Sequence, residues 1–292
     1  MKRPAFSDIL MSFGFVRVWN KSKGDFIVNL LITIFCVASV FPVYWLLTGS
    51  VKYANDVMKI PPDWLPQQIT FGNYVKIFTE NPASRWIYNS FASSLLATIG
   101  IVLVSSAAGY ALSKLKFPGS KMVFAFVIAA LVLPKEVYLL PLYQLMTGFG
   151  WRGTLKSLIF PELAMPFGVF LLKQFYDGIP DEIVEAARID GCNNIRFFFK
   201  FGLPLSKPGI GALGILAFIR VWNAYLWQYV MALDKSTYTL SVGIARMMVE
   251  PDIIDYGLKF AGAAVAAIPL LIIFFIFQKY FTSGITAGSV KG

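Results

Sequence analysis

Residues Trp86–Leu112 read WIYNSFASSLLATIGIVLVSSAAGYAL, a stretch with no Asp, Glu, Lys or Arg anywhere in it. It exceeds the roughly 20 residues that carry an α-helix across the hydrocarbon core of a bilayer. Phe26–Thr48 and Phe260–Gln278 are charge-free runs of the same kind. Three weaker runs lie between them. Met122–Pro134 ends at Lys135 and Glu136, Thr154–Leu172 contains Lys156 and Glu162, and Pro208–Leu233 contains Arg220. The pattern predicts an all-α membrane protein of six transmembrane helices. The middle ones are imperfect because they are expected to face protein or water rather than lipid.

Composition agrees. Hydrophobic residues make up 57% of the chain and charged residues 14%, against about a quarter charged in a water-soluble domain. A chain of this length has apolar mass for a large soluble core but too little polar surface to cover one. The first run is not read as a cleaved signal peptide. Its apolar stretch is too long, and it ends in bulky Tyr44, Trp45, Leu46 and Leu47 rather than a small-residue cleavage site.

Lys and Arg in the short connections set the expected orientation. The N-terminal tail carries Lys2, Arg3, Arg17, Lys21 and Lys23. The second connection, Ser113–Lys121, holds Lys114, Lys116 and Lys121 with no acid, and the fourth, Lys173–Lys207, carries five basic residues. The first connection balances four bases with three acids. Both termini and the even connections are therefore expected in the cytoplasm. The organisation follows: an N-terminal tail over 1–25, a membrane domain over 26–281 and a C-terminal tail over 282–292. An external loop spans 49–85 and a cytoplasmic loop spans 173–207. The net charge of +10 is mostly this asymmetry. It is not a nucleic-acid footprint, which needs basic residues clustered on a soluble domain.

Several chemistries are excluded. Cys36 lies in the first helix and Cys192 in a cytoplasmic connection, so no disulfide framework is expected. With no histidine and no cysteine cluster there is no credible zinc or haem site. No Gly-Lys dipeptide occurs, so the chain has no P-loop. No catalytic residue, metal or cofactor is assigned.

The external loop 49–85 mixes Pro61, Pro62, Pro66 and Pro82 with Trp64, Phe71, Tyr74 and Phe78. A compact segment with short helical pieces is expected there, Phe71–Phe78 being one. It is either a connection with interfacial aromatics or a docking surface for an external partner. In the fourth connection, Ile179–Gly191 reads as one helix. Pro180 suits the first helical position, Asp181 and Glu182 suit the positive end of the dipole, and Gly191 suits a left-handed cap. A second helix is expected over Ile195–Phe201, capped by Asn193 or Asn194 and stopped at Gly202-Leu203-Pro204. Ala186 and Ala187 allow close approach to another surface. Phe197, Phe198, Phe199 and Phe201 are expected to pack on the chain's own helices.

Arg220 is costly inside a bilayer, by about 2.5 kcal/mol even on the lenient insertion scale. Three arrangements are open. It pairs with Glu162, it turns toward backbone carbonyls at a helix break, or it faces an aqueous pathway near Trp222, Asn223 and Tyr225. On one helix Arg220, Asn223 and Trp227 can share a face, while Trp222 points elsewhere.

Glu185-Ala186-Ala187, three residues, Gly191, nine residues, Phe201, one residue, then Leu203-Pro204 resembles the EAA motif of permease subunits in binding-protein-dependent ABC importers. Phe201 departs from that family's usual Ile. Trp222–Trp227, Tyr238–Gly243 and the tail Gly284–Gly292 are similar to stretches of the maltose-type carbohydrate permeases, in particular the smaller, second permease of each pair. Ala224 departs from their common acidic residue. The resemblance implies a type I ABC importer transmembrane domain on a multi-pass subunit that forms half of the pathway for a carbohydrate. It implies four kinds of partner: a second permease subunit, two ATP-binding subunits that hydrolyse ATP, an external solute-binding protein and the lipid bilayer. Glu185, Ala186, Ala187, Asp190, Gly191, Leu203 and Pro204 would couple to the ATP-binding subunits, and Thr286–Gly292 would also touch them. Arg220, Asn223, Tyr225, Trp227 and Glu162 are the candidate pathway residues. An anionic cargo, such as an acidic oligosaccharide or glycerol phosphate, is the alternative. A secondary transporter is a further one, but it leaves the EAA spacing unexplained.

Overall fold

The computed structural model describes residues 23–249 and 255–286. The expectations for 1–22 and for the last residues, 287–292, fall outside them. Among the described residues all regular structure is helical. In chain order the main helices are α1 (Lys23–Ser50), α2 (Ala83–Lys114), α3 (Ser120–Val132), α4 (Leu139–Gly148) and α5 (Leu155–Ile159). Then come α6 (Pro166–Asp177), α7 (Asp181–Ile189), α8 (Lys207–Trp222), α9 (Leu226–Met231), α10 (Leu240–Val249) and α11 (Tyr256–Thr286).

Three helical stretches are long and apolar enough to cross a bilayer unbroken: Phe26–Ser50, α2, and Tyr256–Ile276. The weaker runs become bent pairs. Ser120–Val132 and Lys135–Gly148 meet at 96°, and Leu155–Glu162 and Pro166–Asp177 at 45°. Asn194–Leu205 and Lys207–Trp222 meet at 76°. Counting each pair as one crossing gives six. The breaks have local causes. Pro134 holds an extended ψ of 144° before the 3₁₀ turn Lys135–Tyr138, and Pro166 starts α6 after extended Met165. The run expected over Pro208–Leu233 is also not one helix: α8 ends at Trp222, and Asn223–Tyr225 intervene before α9.

The described residues form two compact units, 23–73 with 255–264 and 74–249 with 265–286. In the first, the loop after α1 is tied to its own backbone. Asn73 Nδ2 donates to Ser50 O at 3.0 Å and Lys52 O at 2.8 Å, and Tyr44 Oη donates to Trp64 O at 2.5 Å. Trp64 packs against Phe41 and Trp45. The short helices expected in this loop are Ala54–Val57 and Gly72–Glu80.

The second unit is built on α2, α6 and α8. Ala97 and Ile101 of α2, Leu172 and Tyr176 of α6, and Leu213, Ala217 and Val221 of α8 form one buried cluster. Small residues let these backbones approach. A Cβ on Gly109 of α2 would lie 2.9 Å from the backbone nitrogen of Lys173. Backbone cannot yield as a side chain does. Gly109→Val is therefore expected to destabilise the chain by about 1–3 kcal/mol through overpacking. Thermal unfolding in detergent measures this, and an unchanged midpoint would contradict the close contact.

Candidate functional site

Two features rise from this scaffold. The first is an open cleft of about 230 Å³ in the second unit, lined where the helices break. Lys135, Glu136 and Tyr138 enter from the turn after Pro134, Pro161 and Glu162 from the end of the α5 segment, and Ala224, Tyr225, Leu226 and Trp227 from the gap between α8 and α9. Arg220 completes it from the last turn of α8.

Glu162 sits at its floor, 4% exposed. Lys135 Nζ donates to Glu162 Oε1 in a close ion pair. Arg220 Nη2 stands 3.9 Å from Glu162 Oε2, beyond hydrogen-bonding distance. The expected Arg220–Glu162 pairing is present, but as the looser of two. Lys135, the tighter partner, was not among the expected site residues. Its signal was the Lys135-Glu136 pair that interrupts an apolar run. Two positive and two negative side chains line the cleft, so its formal charge cancels.

The shared face expected for Arg220, Asn223 and Trp227 presupposed an unbroken helix, and the gap after Trp222 removes it. Asn223 is an exposed residue that ends α8, its N–H bonded to Ile219 O at 3.0 Å, and it does not line the cleft. Trp227 reaches the cleft from α9, where its Nε1 donates to Ser157 O at 2.9 Å. Trp222 is buried, stacked on Phe218, and donates to Ala266 O at 3.3 Å. Tyr225 is half exposed and stacks on Tyr229.

The second feature is α7. Val184 and Ala187 are buried in the α2–α6–α8 cluster, while Ile183, Glu185, Ala186, Ile189 and Asp190 are exposed. Ala187 thus serves close approach to this chain's own core, and Ala186 is the small residue left on the outside. Pro180 is the cap rather than the first helical residue. The far end closes as a Schellman motif, with Cys192 N bonded to Ala187 O at 2.9 Å and Gly191 N to Arg188 O at 3.0 Å. Gly191 has φ +75°, with nothing near the position of an added Cβ, so glycine is required by conformation and not by space.

Asn193 caps the next helix, which covers only Asn194–Phe197. The chain then widens into a π turn over Phe198–Gly202 and stays helical through Leu203–Leu205 instead of stopping. Pro204 has no N–H to donate, and the π turn sends the N–H of Leu203 to Phe198 O. Leu203 is half-buried and Pro204 exposed. Phe197, Phe198 and Phe201 pack inward around Tyr110 and Tyr176, while Phe199 is exposed.

Residues 100–287 match the family described as binding-protein-dependent transport system inner membrane component. The chain belongs to that family. This inner-membrane component is 35% identical over 279 residues to the arabinooligosaccharides transport system permease protein AraQ of Halalkalibacterium halodurans, covering 93% of this chain and 100% of that one. It is 34% identical over 255 residues to the AraQ of Bacillus subtilis (strain 168), covering 86% and 90%. Its fold is similar to a solved chain of a bacterial ABC transporter involved in the import of the acidic polysaccharide alginate. There the TM-score is 0.77 at 19% identity, over 96% of this chain and 100% of that one. The cleft and α7 of the inner-membrane component both lie within the matched residues.

Removing one member of a buried ion pair leaves an uncompensated charge, at a cost of about 3–5 kcal/mol. Lys135→Gln leaves buried Glu162 with only the loose Arg220 and is expected to lose that much stability, and Arg220→Gln much less. Lys135→Gln combined with Glu162→Gln should recover most of the loss. Thermal unfolding of the four proteins checks the ranking, and a double variant no better than Lys135→Gln would refute the pair.

Proposed function

We propose that this subunit forms half of the translocation pathway of an ATP-driven carbohydrate importer and is coupled through α7 to separate ATP-binding subunits. The observation that carries the coupling is α7 itself. Its inner residues are fixed in the core, its outer face carries Glu185 and Ala186, and its end is fixed by Gly191 at the motif spacing. Asp190 and Pro204 are exposed as well and Leu203 is half-buried. A second permease subunit completes the pathway, two ATP-binding subunits do the hydrolysis, and an external solute-binding protein delivers cargo.

The carbohydrate assignment rests on the arabinooligosaccharide permeases and on the chemistry of the cleft. Aromatic side chains Tyr138, Tyr225 and Trp227 offer apolar faces for sugar rings. Arg220 is 39% exposed and only loosely engaged by Glu162, so its guanidinium can donate to hydroxyls. The cancelling charges favour an uncharged saccharide over an anionic one.

Both termini, the loop 173–207 and the tail 282–292 face the cytoplasm in this reading, and 49–85 faces outward. A membrane-impermeant thiol reagent applied to intact cells carrying Cys36→Ser should leave Cys192 unlabelled; labelling from outside would overturn the orientation. Coupling is tested in reconstituted complexes by ATPase activity stimulated with the loaded binding protein. Glu185→Lys is expected to lower stimulation tenfold or more. Gly191→Val should do the same through a backbone penalty of about 1–2 kcal/mol in the left-handed region. Full stimulation in both would sink the coupling role.

A further inference from the structure

α7 is held at both ends by a single helix that is not its covalent neighbour. At its start, Lys114 of α2, with a side chain 5% exposed, donates to Ile179 O at 2.7 Å and to Asp181 Oδ1 at 2.8 Å. Lys116 adds Asp181 Oδ2 at 3.3 Å. One residue before Lys114, Ser113 Oγ donates to Asp177 Oδ1 at 2.6 Å, which fixes the end of α6 just ahead of α7. Beyond the far end of α7, Tyr110 Oη donates to Asn194 O at 3.1 Å, and its ring packs on Phe197 and Phe198. The last turns of α2 therefore bracket α7.

The opposite end of α2 makes a second grip. Trp86 Nε1 donates to Lys235 O at 2.7 Å, and Asn89 Nδ2 donates to Ser236 O at 2.9 Å and to Tyr238 O at 2.8 Å. Ser90 Oγ accepts from Leu240 N at 2.8 Å. These bonds hold the loop Asp234–Thr239, which joins the α9 side of the cleft to α10. That loop is itself stiff, closed by a capping box in which Asp234 accepts from Ser236 N and Thr237 N. α2 runs 32 residues without a break, and its two joints, Asn89 and Lys114, stand about 38 Å apart at 1.5 Å per residue, while α3, α5 and α8 all end at gaps.

We infer that α2 is a rigid strut which carries movement of α7 to the Asp234–Thr239 loop, with Lys114 as its joint at one end and Asn89 as its joint at the other. A rigid element carries displacement only through contacts that hold under load. Lys114 has that character: it is buried, charged and bonded to a carboxylate and a carbonyl at once. Hydrogen bonds from Lys114 and Lys116 keep the Asp181 carboxyl below its ordinary range, so the joint is ionised throughout the neutral range. The Asp181 charge is lost as acid carries the pH down through that depressed value. Lys114 and Asn89 are positioning residues. Neither lines the cleft.

The inference rests on the reading of α7 as the coupling helix, and the test separates the two. The full complex, with Cys36→Ser, Cys192→Ser and a reporter Ser236→Cys, is labelled with a maleimide with and without MgATP and vanadate. The expected result is a labelling rate that changes at least threefold with trapped nucleotide. Lys114→Ala and Asn89→Ala should each abolish the change while the ATP-binding subunits still copurify, and Lys114→Arg should retain it. Asp181→Asn, on an exposed residue, tests the same joint should Lys114→Ala not assemble. If Lys114→Ala and Asp181→Asn keep the full response but Glu185→Lys loses it, the strut is wrong and the coupling helix stands. If Glu185→Lys keeps it too, the coupling reading fails and the strut with it. A parent complex with no nucleotide response at Ser236→Cys also overturns the strut.

Discussion

A helix that breaks inside a bilayer strands carbonyls for which lipid offers no partner, and each costs several kcal/mol if left bare. The second unit is arranged around that constraint. At the gap after Trp222 the regular helical bonds stop: Val221 O keeps a backbone bond from Ala224 N at 3.3 Å, and Trp222 O turns to a side chain. Gln228 Nε2 reaches back to the first at 2.8 Å, and Ser241 Oγ takes the second at 2.9 Å. Ser157 O, in α5, is bonded by Trp227, and Met231 O at the end of α9 by the backbone of Gly153 at 2.9 Å. Thr239 in turn donates to Gln228 Oε1. The repairs come from α9, from α10 and from the segment before α5, so bonding the gap also ties α5, α8, α9 and α10 together. The cleft lies beside those repairs and shares Trp227 with them.

The same constraint explains why charge collects there. A carboxylate as buried as Glu162 is tolerated only with a cation against it, and two are available where three chain breaks meet. Lys135 takes the short contact because the turn after Pro134 points it at Glu162. Arg220 lies in the last turn of a regular helix and reaches the second oxygen only at 3.9 Å. The asymmetry leaves the guanidinium partly solvated. Lys135 and Arg220 both approach Glu162, and exposed Glu136 brings the formal charge of the cleft lining to zero.

The membrane class, the three unbroken crossings and the exposed α7 were legible because each depends on a local pattern: charge-free length, or a capped run between Pro180 and Gly191. The breaks were legible only where a charge or proline marked them. Lys135-Glu136 gave away the first. Nothing in Trp222–Trp227 announces that a helix ends inside it, so a face drawn through Arg220, Asn223 and Trp227 could not foresee the gap that puts Trp227 on another helix. The motif spacing identified α7 but could not say which of its alanines faces in. Period alone leaves that open until Val184 and Ala187 find the α2–α6–α8 cluster. Long-range joints such as Lys114 to Asp181 or Asn89 to Ser236 leave no trace in local pattern, because each partner reads as an ordinary surface or helix residue.

Broken and unbroken helices divide the mechanical work. A subunit that alternates between two states needs parts that keep their shape and parts that change it. Segments joined through gaps reorient at the cost of a few side-chain bonds, whereas α2 bends only by losing backbone bonds with no lipid or water to replace them. Close packing through Gly109 binds α6 to α2, and the core cluster adds α8, so the three move as one body. Rearrangement is then confined to the gaps, and the gaps are where the charges and aromatic rings lie. On the proposed coupling, a displacement delivered at α7 would pass through the α2–α6–α8 body and be taken up at the gaps that line the cleft.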